Sequence, residues 1–372
     1  MSILFESGRI GTMTLPNRFV RSATWEGMAA DDGAMTPKLI QAMEDLAKGG
    51  VGLIISGHAF VSPEGQAGPW QLGIYKDELK DGLKQMTDAV HAAGGKIVAQ
   101  LAHAGHFAAK ALTGQPPHVA SDFEGLAKSS RHELTKEDIA RLVRAFAAAA
   151  GRAKDTGFDG VQIHSGHGYL LSQFLSPAYN RRDDEYGGAI ENRARIHLEI
   201  LAAIRQAVGK DYPVLIKINS EDCLENGLTR QDSLPACRLL ADAGLDAVEL
   251  SGGTLTSGKL SPSRSGITNE AREAYFQDSA RALKKEISIP VILVGGVRSL
   301  NVAENLVATG AADFLSMSRP FIREPALINR WKSGDLRPAL CKSDNLCFGP
   351  AMEGKGIYCV VEEQEQKKAN SL

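Results

Sequence analysis

The chain has 372 residues, 43% hydrophobic and 23% charged, with 38 glycines and a formal net charge of -2, a balance that excludes disordered and fibrous classes. So small a charge provides no basic field for a nucleic-acid backbone or an anionic membrane surface, and neither is expected as a partner. The opening MSILFESGRI lacks a basic, apolar leader, no run nears the roughly 20 apolar residues that span a bilayer, and five cysteines, an odd number, fit a reducing compartment, so a cytoplasmic protein is expected.

Short apolar, β-branched runs alternate with segments of helical period along the whole chain. In order, the expected elements are a strand at Arg18 to Ser22, a helix at Pro37 to Lys48, a strand at Val51 to Ser56 and a helix at Asp77 to Ala93. There follow a strand at Lys96 to Leu101, a helix at Thr135 to Asp155, a strand at Gly160 to His164 and a helix at Ala194 to Val208. The second half continues with a strand at Pro213 to Asn219, a helix at Gln231 to Ala243, a strand at Ala247 to Ser251 and a helix at Ala271 to Glu286. It closes with a strand at Pro290 to Gly295, a helix at Leu300 to Thr309, a strand at Phe314 to Ser318 and a helix at Glu324 to Lys332. TKED from Thr135 and TRQD from Thr229 are helix starts, and AGG at Ala93 to Gly95 and AG at Ala243 to Gly244 are helix stops.

Eight such units with right-handed crossovers predict an α/β fold, a single (β/α)8 TIM barrel. An open doubly wound sheet is the alternative, weakened by the lack of a Gly-x-Gly-x-x-Gly after the first strand. The expected division is a barrel over residues 1–335 and a carboxyl-terminal extension over 336–372. Two long loops, His106 to Glu133 after strand 3 and Ser165 to Ile190 after strand 4, should overlie the site, because barrel chemistry sits at the carboxyl ends of the strands.

Three groups gather at those ends. Gly295 and Gly296 after the seventh strand, with Ser318 and Arg319 after the eighth, suit a phosphate: the glycines admit close backbone approach and the guanidinium supplies charge. His164 and His167, in IHSGHGYLLSQFLSP, can clamp a substrate oxygen through their N–H groups, with Tyr169 as general acid. A metal is the other use of two histidines, but no third ligand has convincing spacing, so none is expected. Lys217, ending the fifth strand, suits either a Schiff base or a fixed charge beside an electron-rich ring.

PNRFVRSA near the start, AQLAHAG at Ala99 to Gly105, HSGHGYLLSQFLSPAYNRRDDEYGGAIENRAR from His164 to Arg195 and SRPFIREP at Ser318 to Pro325 resemble the Old Yellow Enzyme family of FMN-dependent ene-reductases, over about residues 1 to 335. The resemblance implies FMN, with NADPH or NADH as hydride donor, and ping-pong reduction of activated C=C bonds in α,β-unsaturated carbonyl or nitro compounds. It implies that Ala23, Thr24, Gln100, Lys217, Gly295, Gly296, Ser318 and Arg319 bind the cofactor, that His164 and His167 grip the substrate oxygen, and that Tyr169 protonates the α carbon. The family is often dimeric or tetrameric, so a homo-oligomer is open.

The sequence departs from the family at Trp25, where a threonine or cysteine near the flavin is usual and where an indole could wall the substrate pocket. It departs also at His58, where a smaller residue is usual, at His106 in place of a common arginine, and at Lys217 in place of arginine. Cys341, Cys347 and Cys359 resemble the iron–sulfur segment of the branch that includes 2,4-dienoyl-CoA reductase and trimethylamine dehydrogenase, with Asp344 where a fourth cysteine is expected. A degenerate remnant is the favoured reading there. The competing functions are an FMN electron-transfer subunit of that branch and a flavin-free phosphate-binding lyase using Lys217.

Overall fold

The computed structural model describes residues 2–122 and 130–371. Residues 123–129 of the first expected long loop lie outside the described residues. Eight parallel strands close into a barrel: β1 (Phe19–Arg21), β2 (Leu53–Phe60), β3 (Ile97–Ala102), β4 (Gly160–Ser165), β5 (Val214–Asn219), β6 (Ala247–Ser251), β7 (Val291–Val294) and β8 (Phe314–Met317). The outer ring is α1 (Pro37–Lys48), α2 (Lys80–Ala92), α3 (Lys136–Asp155), α4 (Arg195–Val208), α5 (Arg230–Asp242), α6 (Gln277–Glu286), α7 (Leu300–Ala308) and α8 (Leu327–Lys332). The expected (β/α)8 TIM barrel is present.

Local chemistry explains the boundaries. Thr135 and Asp138 form a reciprocal capping box at the start of α3, and the Thr229 side chain accepts from the Asp232 N–H at the start of α5. The helix expected at Ala271 to Glu286 begins only at Gln277. Composition favours helix through AREAY, but Ala274 takes a left-handed φ of 52°, and the Glu273 carboxylate is drawn away to accept from the N–H groups of Arg298 and Ser299. The segment from Gly252 to Phe276 is therefore a third long loop, after β6, which the periodicity did not reveal.

A hairpin that the sequence reading missed, Gly8–Ile10 paired with Met13–Leu15, seals the bottom of the barrel. Its Ile10, Met13 and Leu15 pack with the inward-facing Val20, Leu53, Ile55, Val98, Leu215, Ala247, Ile292 and Phe314. These fill the barrel floor, so everything polar inside it lies nearer the strands' carboxyl ends.

Candidate active site

Side chains alternate along a strand with period two, so one step up from the apolar floor brings a new inward layer. From Val20, Val98, Leu215, Ala247 and Phe314 that step reaches Ser22, Gln100, Lys217, Glu249 and Ser316, and β4 adds Gln162. All six are buried and hydrogen-bonded to one another. Glu249 accepts from Ser22 Oγ (2.7 Å), Ser316 Oγ (2.8 Å), Lys217 Nζ (3.1 Å) and Gln162 Nε2 (2.9 Å). Burial pushes the Glu249 carboxyl upward, but Lys217 and the three neutral donors outweigh it and hold the group below its usual value.

Because an ionised carboxylate only accepts, the layer has one sense of polarity. Gln162 must turn its NH2 to Glu249 and its carbonyl oxygen to Gln100 Nε2, 2.7 Å away. Lys217 Nζ also donates to Ser22 Oγ at 2.6 Å. Both contacts use the amine as a donor to fixed neighbours, an arrangement for holding charge rather than for attacking a carbonyl.

Above this layer opens a cavity of about 630 Å³. Ala23, Thr24, Gln100, Lys217 and Ser318 line its base, and Thr24 Oγ1 and Ser318 Oγ lie 2.7 Å apart. His164, His167 and Tyr169 line one side, with the His164 ring 5.4 Å from that of His167 and 4.8 Å from that of Tyr169. His167, in the HSGHG turn, has a left-handed φ of 64°, its N–H held by Asn219 Oδ1 (3.1 Å) and its Nε2 2.8 Å from Ser251 Oγ. Burial, then their mutual proximity for His164 and the Lys217 charge for both, holds the two imidazoles well below the usual histidine range. Each is neutral and carries a single N–H. Burial raises the Tyr169 hydroxyl above its usual value, so it keeps its proton. His164 Nδ1 is buried with no hydrogen-bond partner among the described residues.

His58 enters through a register shift in β2 between Ile55 and His58, which sets it opposite Gln100 and against Tyr169, its Nε2 3.2 Å from the hydroxyl. Trp25 lines the outer wall, and the carboxyl-terminal segment supplies Asn345, Phe348 and Met352 beside it. That segment is fastened to the barrel by hydrogen bonds from Ile357 N–H to Glu26 C=O, Asn345 Nδ2 to Ser263 C=O and Gly266 N–H to Ser343 C=O. His106 lies outside the cavity lining, with its ring 5.1 Å from that of Phe107, which does line it.

Gly295, Gly296 and Arg319 cluster beyond the cavity lining, at the ends of β7 and β8. The glycines take φ values of 154° and 77°, and a Cβ on Gly296 would lie 2.7 Å from the Tyr275 ring. Arg319 is buried, yet among the described residues its guanidinium meets neutral acceptors alone, Asn345 Oδ1 (2.6 Å) and the Arg264 carbonyl (2.9 Å). Arg264 itself stacks over Tyr275, its guanidinium carbon 4.4 Å from the ring centre. Among the described residues, no carboxylate forms an ion pair with either cation.

A model of the NADH:flavin oxidoreductase / NADH oxidase family matches residues 3–337. The chain belongs to this family. It is 36% identical over 374 residues to a metal reductase from Desulforamulus reducens, covering 99% of this chain but 55% of that relative. The chain thus spans little more than half the length of that protein. Among solved structures, a complex of 2-naphthoyl-CoA reductase with 2-naphthoyl-CoA superposes with a TM-score of 0.89 at 28% identity, over 96% of this chain and 56% of the other. An Old Yellow Enzyme homologue from Zymomonas mobilis superposes with a TM-score of 0.77 at 27% identity, over 91% and 95%. The resemblance read from the motifs is borne out, and with it come FMN and a nicotinamide dinucleotide as the cofactors.

The residues of this Old Yellow Enzyme homologue suit FMN. Two cations without carboxylate partners beside positive-φ glycines are what a phosphate requires, and the cation, amides and hydroxyls at the cavity base offer charge and hydrogen bonds to a polar ring edge. Sequence reasoning missed Arg264, which no motif marks, and Asn345, Phe348 and Met352, which lie far along the chain. It noted His58 only as a departure.

The cysteines do not gather at the cavity. Cys341 Sγ accepts from the Ser343 N–H at 3.4 Å, Cys347 packs with Ala351 and Ile357, and Cys359 Sγ lies 3.7 Å from Arg323. Burial pushes the Cys347 thiol up to about 12. Among the described residues, the group of three potential metal ligands that does converge is Glu64, His103 and His118, none of which lines the cavity. His103 Nδ1 accepts from the Gly105 N–H at 3.1 Å, so a neutral ring carries its proton on Nε2, the atom facing Glu64, and offers no lone pair there. No helix among the described residues is long and apolar enough to cross a membrane.

Proposed function

We propose that this chain is an FMN-dependent NAD(P)H oxidoreductase that reduces the activated carbon–carbon double bond of α,β-unsaturated carbonyl or nitro compounds by ping-pong hydride transfer. The observation that carries the reading is the convergence of two neutral imidazoles, His164 and His167, and a protonated phenol, Tyr169, on one cavity whose base holds a buried cation. Bound FMN, reduced by the nicotinamide dinucleotide, would supply the hydride.

The protein's part is positioning and charge. Lys217 holds a positive charge at the cavity base, Gln100 offers a polarised amide, and Thr24, Ser318 and the backbone at Ala23 complete the ring-edge contacts. Gly295, Gly296 and Arg319, joined by Arg264, hold the phosphate. His164 and His167 donate to the carbonyl or nitro oxygen and stabilise the negative charge that grows there as hydride adds to the β carbon. Tyr169 then gives its proton to the α carbon. Trp25, with Phe348, forms an apolar wall for the remainder of the substrate. The barrel over residues 1–335 carries the cofactor, and the extension from residue 336 completes that wall.

The test is reduction of 2-cyclohexenone with nicotinamide deuterated at C4, followed by mass spectrometry and NMR of the product. Deuterium at the β carbon and a solvent-derived hydrogen at the α carbon are expected. Oxidation of the nicotinamide with label in no organic product, while a one-electron acceptor is reduced, would replace this reading with that of an electron-transfer subunit.

A further inference from the structure

A chain of fixed donors runs from the backbone to the tyrosine hydroxyl. The Ala67 N–H donates to Gln71 Oε1 at 2.6 Å, and since a backbone N–H can only donate, the Gln71 amide has one orientation. Its NH2 then points to His58, donating to the His58 carbonyl at 2.9 Å and to Nδ1 at 3.0 Å. A neutral His58 that accepts at Nδ1 carries its proton on Nε2, and Nε2 lies 3.2 Å from Tyr169 Oη. His58 is neutral because burial lowers it from the usual histidine value to about 4.

The Tyr169 oxygen therefore accepts from His58, and its own O–H is left to donate. Among the described residues, no other hydrogen bond engages the Tyr169 hydroxyl, and the ring lines the cavity. Gln71 is buried and lies outside the cavity lining; it reaches the Tyr169 hydroxyl through His58, and its other side-chain contact holds the backbone of Ala67 in the cavity wall.

We propose that Gln71 and His58 are positioning residues that fix the direction of proton delivery by Tyr169, an inference that rests on the enone-reductase reading above. In the step concerned, hydride has added to the β carbon and the electron pair of the double bond has moved onto the oxygen held by His164 and His167. As the carbonyl reforms, the Tyr169 O–H bond breaks, the α C–H bond forms, and the phenolate keeps the O–H electron pair. The His58 Nε2–H stabilises that phenolate in a site where burial otherwise disfavours it, until a solvent proton restores the phenol. A histidine of the opposite tautomer would accept the Tyr169 proton instead and turn the acid away from the substrate.

Two measurements on the FMN-loaded enzyme test this. The first is the ¹⁵N spectrum of histidine-labelled protein, with the His58 signals identified by loss in His58→Gln. Protonation on Nε2 is expected, and protonation on Nδ1 overturns the proposal without any activity being read. The second is Gln71→Glu, whose carboxylate would accept from Nδ1 and reverse the tautomer. Reoxidation of the reduced enzyme by cyclohexenone should slow at least tenfold, with reoxidation by a quinone, which needs no carbon protonation, within about twofold of wild type. In Tyr169→Phe the same substitution should add nothing further. An unchanged enone rate in Gln71→Glu, or an additive loss on top of Tyr169→Phe, overturns the relay while leaving the reductase reading intact. A wild-type enzyme that reduces no enone overturns both.

Discussion

The Lys217 ammonium lies 3.1 Å from the Glu249 carboxylate inside the barrel, and both side chains are buried. Removing either partner would leave an uncompensated charge in the layer that supports the cavity. Lys217→Met should lower stability by about 3–5 kcal/mol, and adding Glu249→Gln should recover most of that loss. Urea unfolding of the single and double variants measures it. A double variant as unstable as Lys217→Met alone would mean that packing, not charge, dominates the position.

Tyr169→Phe removes the proposed acid with almost no change in volume. Reoxidation by cyclohexenone should fall by roughly 10²–10⁴-fold, while reduction by NADPH stays near the wild-type rate. Stopped-flow absorbance separates the two half-reactions. Equal slowing of both would point to a distorted cavity.

Arg319 and Arg264 are assigned to the FMN phosphate because neither has an acidic partner among the described residues. Replacing Arg319 by Ala should weaken FMN binding by about 1.5–3 kcal/mol, roughly 10- to 150-fold in Kd, and leave riboflavin binding nearly unchanged. Fluorescence titration of the apoprotein with each ligand is the check. Equal losses for both flavins would place the arginine's contribution elsewhere.

Acid should destabilise the fold through its buried imidazoles. Burial lowers His58 and His197 to about 4 and His103 to about 3, whereas an unfolded chain keeps histidine near 6.5. Between those values the unfolded state binds more protons, so stability rises with pH across the window and falls as pH drops from about 6.5 toward 4. Melting temperature against pH should show that decline, and His197→Gln should make it shallower. A flat profile over that range would contradict the neutral burial of these rings.

The barrel was legible because each strand is a short apolar run bounded by turn chemistry and each helix keeps a 3.6 period, signals that survive without tertiary information. The same alternation carried Gln100, Lys217 and His164 to the cavity. It failed where tertiary contacts overrode propensity. Ala271 to Phe276 leaves the helix because Glu273 is held by the backbone of Arg298 and Ser299, and His58 reaches the cavity only through the register shift in β2. Arg264 and Phe348 join the site from a loop and a terminal segment, and nothing in their local sequence encodes the distant surfaces they meet.

The central claim is that one cavity serves both flavin reduction and alkene reduction, and anaerobic spectroscopy of the purified chain tests it most directly. The protein should carry an FMN spectrum that bleaches on adding NADPH or NADH and returns on adding cyclohexenone, with one saturated ketone formed per flavin reoxidised. A protein that cannot be loaded with FMN, or whose bleached flavin is returned by no enone or nitroalkene, would contradict it.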